Sequence, residues 1–186
     1  MTITTAVFDL DGTLVDSDRA LIEPFLRLGI AREDIALGPL LVDQCELLGV
    51  DMDEYLALYD PSAVVVYPGV DELLRALPRY GIASHKLRAS GEAELARFGW
   101  TPAVAMFAED FEGGHKALRP VLDALGVDAH EVVFVGDTEH DRACAREAGA
   151  TFALAGWNPR AASEPGDVVL ARPADLLDLG VGLLAG

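Results

Sequence analysis

Asp9-Leu10-Asp11-Gly12-Thr13 sets two carboxylates two positions apart and follows them with a glycine and a hydroxyl. Gly12 lets the chain turn there, so both carboxylates can face one site. A second acidic pair lies in Gly136-Asp137-Thr138-Glu139-His140-Asp141. Asp137 and Asp141 are four apart and share a face if a helix begins there. A helix N-terminus favours negative charge in any case, so the plain alternative for Asp137 is a helix cap. Three or four carboxylates brought together would repel strongly unless a cation joined them. A donor set made only of oxygens suits Mg²⁺, which typically keeps waters and takes one or two carboxylates.

Two further segments supply groups of the opposite kind. Ser84-His85-Lys86 offers a hydroxyl and an ammonium, and Lys116 follows Gly113-Gly114-His115. Such groups hold the non-reacting oxygens of a phosphate. Taken singly, each lysine reads as a solvated surface charge. The chain has only 14 lysines and arginines against 31 acidic residues, however, so two lysines in candidate site loops carry weight. His85 is expected to contribute its backbone N–H, and His140, flanked by acids, reads as exposed. The chemistry that these types support together is phosphate chemistry assisted by a divalent cation.

The elements that must position these residues follow from the apolar pattern. Short apolar runs at Ile3–Leu10, Gly81–Ser84, Ala103–Ala108, Val132–Val135, Thr151–Leu154 and Asp167–Leu170 suit strands covered on both faces, hence a mainly parallel sheet. One-sided helical spacing marks Val70–Leu77, Glu92–Phe98, Leu118–Leu125 and Asp141–Ala148. Gly99, Gly126 and Gly149 stand as stop signals after the last three. Strand and helix alternate from Pro68 onward, which predicts an α/β, doubly wound (Rossmann-like) parallel sheet. Ligands bind at the C-terminal ends of the strands in such a sheet, where both acidic loops fall. Asp16–Asp60 breaks the alternation. It suggests a helix over Leu21–Leu28 kinked or restarted at Pro24, then helices over Pro39–Leu48 and Asp53–Leu58. The expected division is a core of residues 1–15 and 66–186 and a small helical cap of residues 16–65 inserted after the first strand.

Bulk properties narrow the function. The net charge of −17 and the lack of a basic run speak against a nucleic-acid partner. No apolar run approaches the roughly 20 residues that span a bilayer, so no membrane role is expected. Without a signal-peptide pattern, and with Cys45 and Cys144 far apart and reading as reduced thiols, the expectation is a cytoplasmic protein.

These residues resemble the haloacid dehalogenase superfamily over nearly the whole chain. Asp9–Thr13 is similar to its first motif, Ser84 to the second, Lys116 to the third and Gly136–Asp141 to the fourth. Tyr67–Leu74 resembles the return from a cap, and an insertion right after the first motif resembles the helical-cap branch, which includes phosphoglycolate phosphatases and β-phosphoglucomutases. The resemblance implies that Asp9 is the nucleophile and that Asp11 protonates the leaving group and then activates water. It implies Mg²⁺ on Asp9, the Asp11 carbonyl and Asp137, phosphate held by Thr13, Ser84, His85 and Lys116, and Asp141 and Lys86 in supporting positions. Two departures stand out. Lys116 leads into Ala117-Leu118-Arg119-Pro120 rather than closely spaced prolines, which leaves Lys86 as a rival for the phosphate. The cap is also short.

The expected activity is therefore hydrolysis of a small phosphate monoester through an aspartyl-phosphate. The alternatives are a phosphomutase, which uses the same core, and a non-catalytic regulatory or binding protein of the same fold. The insertion carries eleven acidic residues against three basic ones, a charge of −8. A small acidic cap favours a compact phosphorylated metabolite over a long polyanion, with phosphoglycolate or a sugar phosphate as candidates.

Overall fold

The computed structural model describes residues 3–38 and 40–181. The remaining positions, including Pro39 at the expected start of the second helix, lie outside the described residues. In chain order the elements are β1 (Thr5–Phe8), β2 (Val15–Asp16), α1 (Asp18–Arg27), α2 (Leu41–Leu48), α3 (Met52–Leu58), β3 (Val65–Val66), α4 (Val70–Ala76), β4 (Tyr80–Ala83), α5 (Arg88–Phe98), β5 (Val104–Met106), α6 (Leu118–Leu125), β6 (Val132–Gly136), α7 (Glu139–Ala148), β7 (Thr151–Ala155) and β8 (Val168–Leu170). Short 3₁₀ turns join several of them, the longest at Pro173–Leu179.

Six strands form one sheet in the order β5-β4-β1-β6-β7-β8. Every pairing in it is parallel. β1 sits at the centre between β4 and β6, and all three are fully buried. Their continuous apolar sequences are the consequence, because each is covered on both faces. One buried cluster includes Phe8, Leu73, Ile82 and Val135, and a second includes Val7, Leu118, Leu122 and Phe134. Since successive side chains of a strand point to opposite faces, Val7 and Phe8 divide between the two clusters. The loops after β1, β4 and β6 therefore emerge side by side.

The helical stretch leaves the core after β1 and returns before α4. Its own apolar residues close on one another: Phe25, Ile35, Cys45 and Tyr55 form a separate buried cluster. Pro24 does not restart α1, which runs unbroken through it from Asp18 to Arg27. Pro24 is only the seventh residue of that helix, so a missing N–H there costs a single early hydrogen bond. The two segments that join the stretch to the core pair with each other as the antiparallel ribbon β2–β3, Val15 opposite Val66 and Asp16 opposite Val65. Two-residue strands lack the length for a readable alternation, which is why the sequence reads there as linker. α5 and α7 also begin earlier than their apolar spacing indicates, because their first turns are polar.

Candidate active site

Asp9 follows β1 directly and is almost fully buried. Its main-chain N–H donates to the Val135 carbonyl at 2.9 Å, so the neighbouring strand fixes where the Asp9 loop leaves the sheet. Gly12 then turns with φ +80°, a conformation that a residue with a Cβ rarely adopts. A Cβ there would also run into the Asp137 carboxylate. Glycine at this position is thus required by both backbone and space.

Asp137 closes the other side of the same point. Its Oδ2 accepts from Asn158 Nδ2 at 2.8 Å, and Asn158 Nδ2 also donates to the Gly12 carbonyl at 2.9 Å. Trp157 Nε1 donates to the Thr13 carbonyl at 2.9 Å. The turn after β7 thereby ties the two acidic loops together. The Thr13 hydroxyl donates to Asp137 Oδ1 at 3.4 Å and is fully buried. Thr13 is not among the residues lining the cavity, so its hydroxyl braces Asp137 rather than facing a ligand.

Asp141 begins the second turn's worth of chain after Asp137 and is wholly buried. One oxygen takes the Lys116 ammonium. The other accepts from the Thr138 hydroxyl at 2.6 Å and from the main-chain N–H groups of Asp137 and Thr138 at 3.2 and 3.1 Å. Burial would raise its pKa, but the Lys116 charge and these hydrogen bonds hold it below the usual carboxylate range.

The two lysines divide between the two loop aspartates. Lys116 Nζ lies 3.2 Å from Asp9 Oδ1 and bonds Asp141. Lys86 Nζ lies 2.7 Å from Asp11 Oδ1 and 3.0 Å from Glu94 Oε1. Burial alone would push both lysines down, but the facing carboxylates outweigh it and hold both above the usual range. Ser84 directly follows β4, and its Oγ accepts from the Lys86 main-chain N–H at 3.3 Å. The His85 ring accepts from the Lys116 N–H through Nε2 at 2.7 Å and packs 4.7 Å from the His140 ring. Burial, with Lys116 nearby, pushes His85 down to about 4, so the ring is neutral at pH 7.

Asp9, Asp11, Ser84, His85, Lys86, Lys116 and Asp137 all border one cavity, opposite residues of the helical stretch. Carboxylate oxygens of Asp9, Asp137 and Asp141 lie within 4.8 Å of one another. Burial, reinforced by this mutual repulsion, raises Asp9 to about 8 and Asp137 to about 7. Lys116 offsets only part of the effect on Asp9. An all-oxygen cluster held in this state has the composition that a hard divalent cation needs. Asp141 is the most heavily engaged of the three, with the Lys116 ammonium on one oxygen and three hydrogen bonds on the other, whereas Asp137 accepts one on each oxygen and Asp9 meets Lys116 through Oδ1.

A family model for haloacid dehalogenase-like hydrolases matches residues 46–155. The chain belongs to this family. Over its full length it is also 30% identical to pyrophosphatase PpaX of Halalkalibacterium halodurans, with 216 aligned positions covering 100% of both chains. It is 28% identical to PpaX of Bacillus velezensis, covering 95% of this chain and 96% of that one. Among solved structures it resembles a hydrolase from Pseudomonas syringae, with TM-score 0.73, 20% identity and coverage of 95% and 96%. It also resembles a superfamily hydrolase of subfamily IA, variant 1, from Geobacter sulfurreducens, with TM-score 0.68, 20% identity and coverage of 96% and 100%. At such identity the structural likeness is one of fold. The expected doubly wound α/β fold and the family membership agree with these relatives.

Sequence reading found the acidic loops and both lysines but not Asn158, Trp157, Arg160 or Glu94. Gly156-Trp157-Asn158-Pro159 signals a turn after β7, yet nothing in it says that the turn reaches back to Gly12. Glu94 lies mid-helix in α5 and reads as an exposed charge until its burial is seen.

Proposed function

We propose that the chain is a Mg²⁺-dependent phosphatase that hydrolyses a small phosphate monoester through an aspartyl-phosphate on Asp9. The observation that carries this reading is the placement of Asp9 beside Lys116 and Asp137, in the cavity that also holds Asp11. An anionic nucleophile at the floor of such a cavity can meet phosphorus only if cationic groups flank it. The residues suited to hold Mg²⁺ are Asp9, Asp137 and the Asp11 carbonyl. The ion would supply positive charge against the phosphate oxygens and let Asp9 ionise.

In the first step an Asp9 carboxylate oxygen bonds phosphorus, and the ester P–O bond breaks. Asp11 gives its proton to the departing alkoxide. In the second step water loses a proton to Asp11 and attacks phosphorus, and the bond from phosphorus to Asp9 breaks. Inorganic phosphate leaves and Asp9 is regenerated. Lys116, with Ser84 and the His85 backbone N–H, holds the non-reacting oxygens. Lys86 holds Asp11 through one of its oxygens, and Asp141 holds Lys116.

Residues 1–15 and 66–186 form the catalytic core, and residues 16–65 form a cap over it. The separate apolar cluster of the cap and the paired β2–β3 linkers support this division, since they let the cap move as a unit on two short strands. Closure would exclude water from the cavity. The test is phosphate release from a panel of phosphate esters, with Mg²⁺ and with chelator. Hydrolysis that needs Mg²⁺ is expected, and full turnover in excess chelator would remove the proposal.

A further inference from the structure

The helical stretch lines the cavity with Leu21, Leu37, Leu41, Leu56, Tyr55 and Tyr59. The two tyrosines present rings without free hydroxyls. Tyr55 donates to the Leu21 carbonyl at 2.9 Å, and Tyr59 donates to Glu94 at 3.1 Å. Leu56 is 39% exposed, so its apolar surface is left uncovered. None of Arg19, Arg27 and Arg32, the three cationic residues of the cap, lines the cavity.

The cations that do line it are Lys86, Lys116 and Arg160, and each already faces protein carboxylates. Lys86 is held by Asp11 and Glu94, and Lys116 by Asp9 and Asp141. Arg160 grips Asp18 with two nitrogens, Nε to Oδ2 at 2.5 Å and Nη2 to Oδ1 at 2.6 Å. Lys116 is committed to the transferred phosphate by the reading above. A second anion on the substrate would thus lie against leucines and tyrosine rings, close to Asp11 and Asp18, with no free cation among the described residues. Stripping water from a charge without pairing it is strongly unfavourable. Among the described residues that line the cavity, the Ser17 hydroxyl and His85 Nδ1 are buried without a hydrogen-bond partner, and both groups are neutral.

We infer that the leaving group taken by this site is an uncharged, mainly apolar alcohol, aromatic or aliphatic, and not one bearing a second phosphate or a carboxylate. The apolar body packs on the cap leucines and tyrosine rings, and at most one neutral oxygen meets Ser17. This deepens the phosphatase reading and rests on it. It also separates this chain from relatives named as pyrophosphatases, and it sets phosphoglycolate aside as a substrate.

The test compares two non-hydrolysable phosphonates of matched length, 2-phenylethylphosphonate and 3-phosphonopropionate, by calorimetry with the full chain and Mg²⁺. The phenyl compound is expected to bind about tenfold more tightly or better, given the area it buries and the charge it spares. Leu56→Arg places a cation on the exposed edge of the wall and is expected to narrow or reverse that ratio. Tighter binding of the carboxylate compound to the unmodified chain would overturn the inference, as would binding of neither. Turnover of benzyl phosphate and phosphoglycolate is measured alongside. Phosphonate binding in the expected order without hydrolysis of any ester would leave the pocket assignment standing and remove the phosphatase reading. Hydrolysis with the opposite preference would do the reverse.

Discussion

Lys86 Nζ sits 2.7 Å from Asp11 Oδ1 and bridges it to Glu94, a carboxylate that is 1% exposed and has its second oxygen unpartnered. Tyr59, directly after α3, donates to the same Glu94. The residue proposed as acid and base is therefore held by an ion cluster that reaches from the helical stretch into the sheet domain. Removing the lysine would leave the Glu94 carboxyl buried with no cation facing it. Breaking one partner of a buried pair typically costs about 3–5 kcal/mol. Lys86→Met should lower stability on that order in urea titration, and adding Glu94→Gln should recover a substantial part. A double variant no more stable than Lys86→Met would mean that Glu94 is not the source of the loss.

The other lysine should act on rate. Lys116 Nζ is 3.2 Å from Asp9 Oδ1, which places its charge beside the non-reacting oxygens of a phosphoryl group being transferred to Asp9. Loss of one such stabilising group typically lowers kcat about 10²–10³-fold. Lys116→Ala is expected to fall by that factor, and Lys86→Ala by less. Steady-state kinetics on both variants gives the ranking. The opposite order would hand the phosphate-binding role to Lys86.

Much of this arrangement was legible in the residues themselves. The strand Val132–Val135 and the helix Leu118–Leu125 are read from apolar spacing to within a residue, because both are buried and their patterns answer to the core alone. Asp9, Asp11, Asp137 and both lysines are legible because parallel topology sends their loops to one edge of the sheet. The partition of the lysines is not legible. Lys86 and Lys116 both end up buried against carboxylates, and only side-chain reach decides that one meets Asp11 and the other Asp9. Thr13 turns inward because the Gly12 turn carries its hydroxyl under Asp137. Asn158 escapes notice because its partners are more than twenty residues away along the chain.

Asn158 yields a test of its own. Its amide orients Asp137 and holds the Gly12 carbonyl. Groups that orient a metal ligand are typically worth about 10–100-fold in metal affinity. Asn158→Ala should weaken Mg²⁺ binding by a factor in that range by calorimetry. Unchanged affinity would show that Asp137 needs no such support or is not a ligand.

The acidic cluster predicts how Mg²⁺ and pH act together. Folding raises Asp9 from 3.8 to about 8 and Asp137 from 3.8 to about 7. The folded state thus holds these protons more tightly than the unfolded chain. Their contribution to stability is fully present below pH 3.8 and is lost as pH rises through 7 and 8. Mg²⁺ needs the same oxygens deprotonated. The melting temperature without metal should therefore fall as pH rises from 6 to 8.5, and the increase produced by a fixed Mg²⁺ concentration should grow over the same interval. Differential scanning fluorimetry across that range checks both trends. A Mg²⁺ effect that shrinks with rising pH would contradict the cluster as the binding site.

Asp11 and Asp9 should separate cleanly. General acid–base catalysis is typically worth about 10²–10⁴-fold, so Asp11→Asn should retain trace turnover. With an activated leaving group, which needs little protonation, that variant should form the phosphoenzyme and hydrolyse it slowly. Rapid-quench time courses would resolve the two steps. Equal slowing of both steps with such a substrate would deny Asp11 its role toward water.

The central claim is covalent transfer to Asp9, and the stereochemical course at phosphorus tests it most directly. Two successive in-line displacements, one by Asp9 and one by water, restore the original configuration of an isotopically chiral phosphate ester. A single attack by water inverts it. Retention is expected, together with acid-quenched radiolabel on the peptide that contains Asp9 and none in Asp9→Asn. Inversion at phosphorus would contradict it.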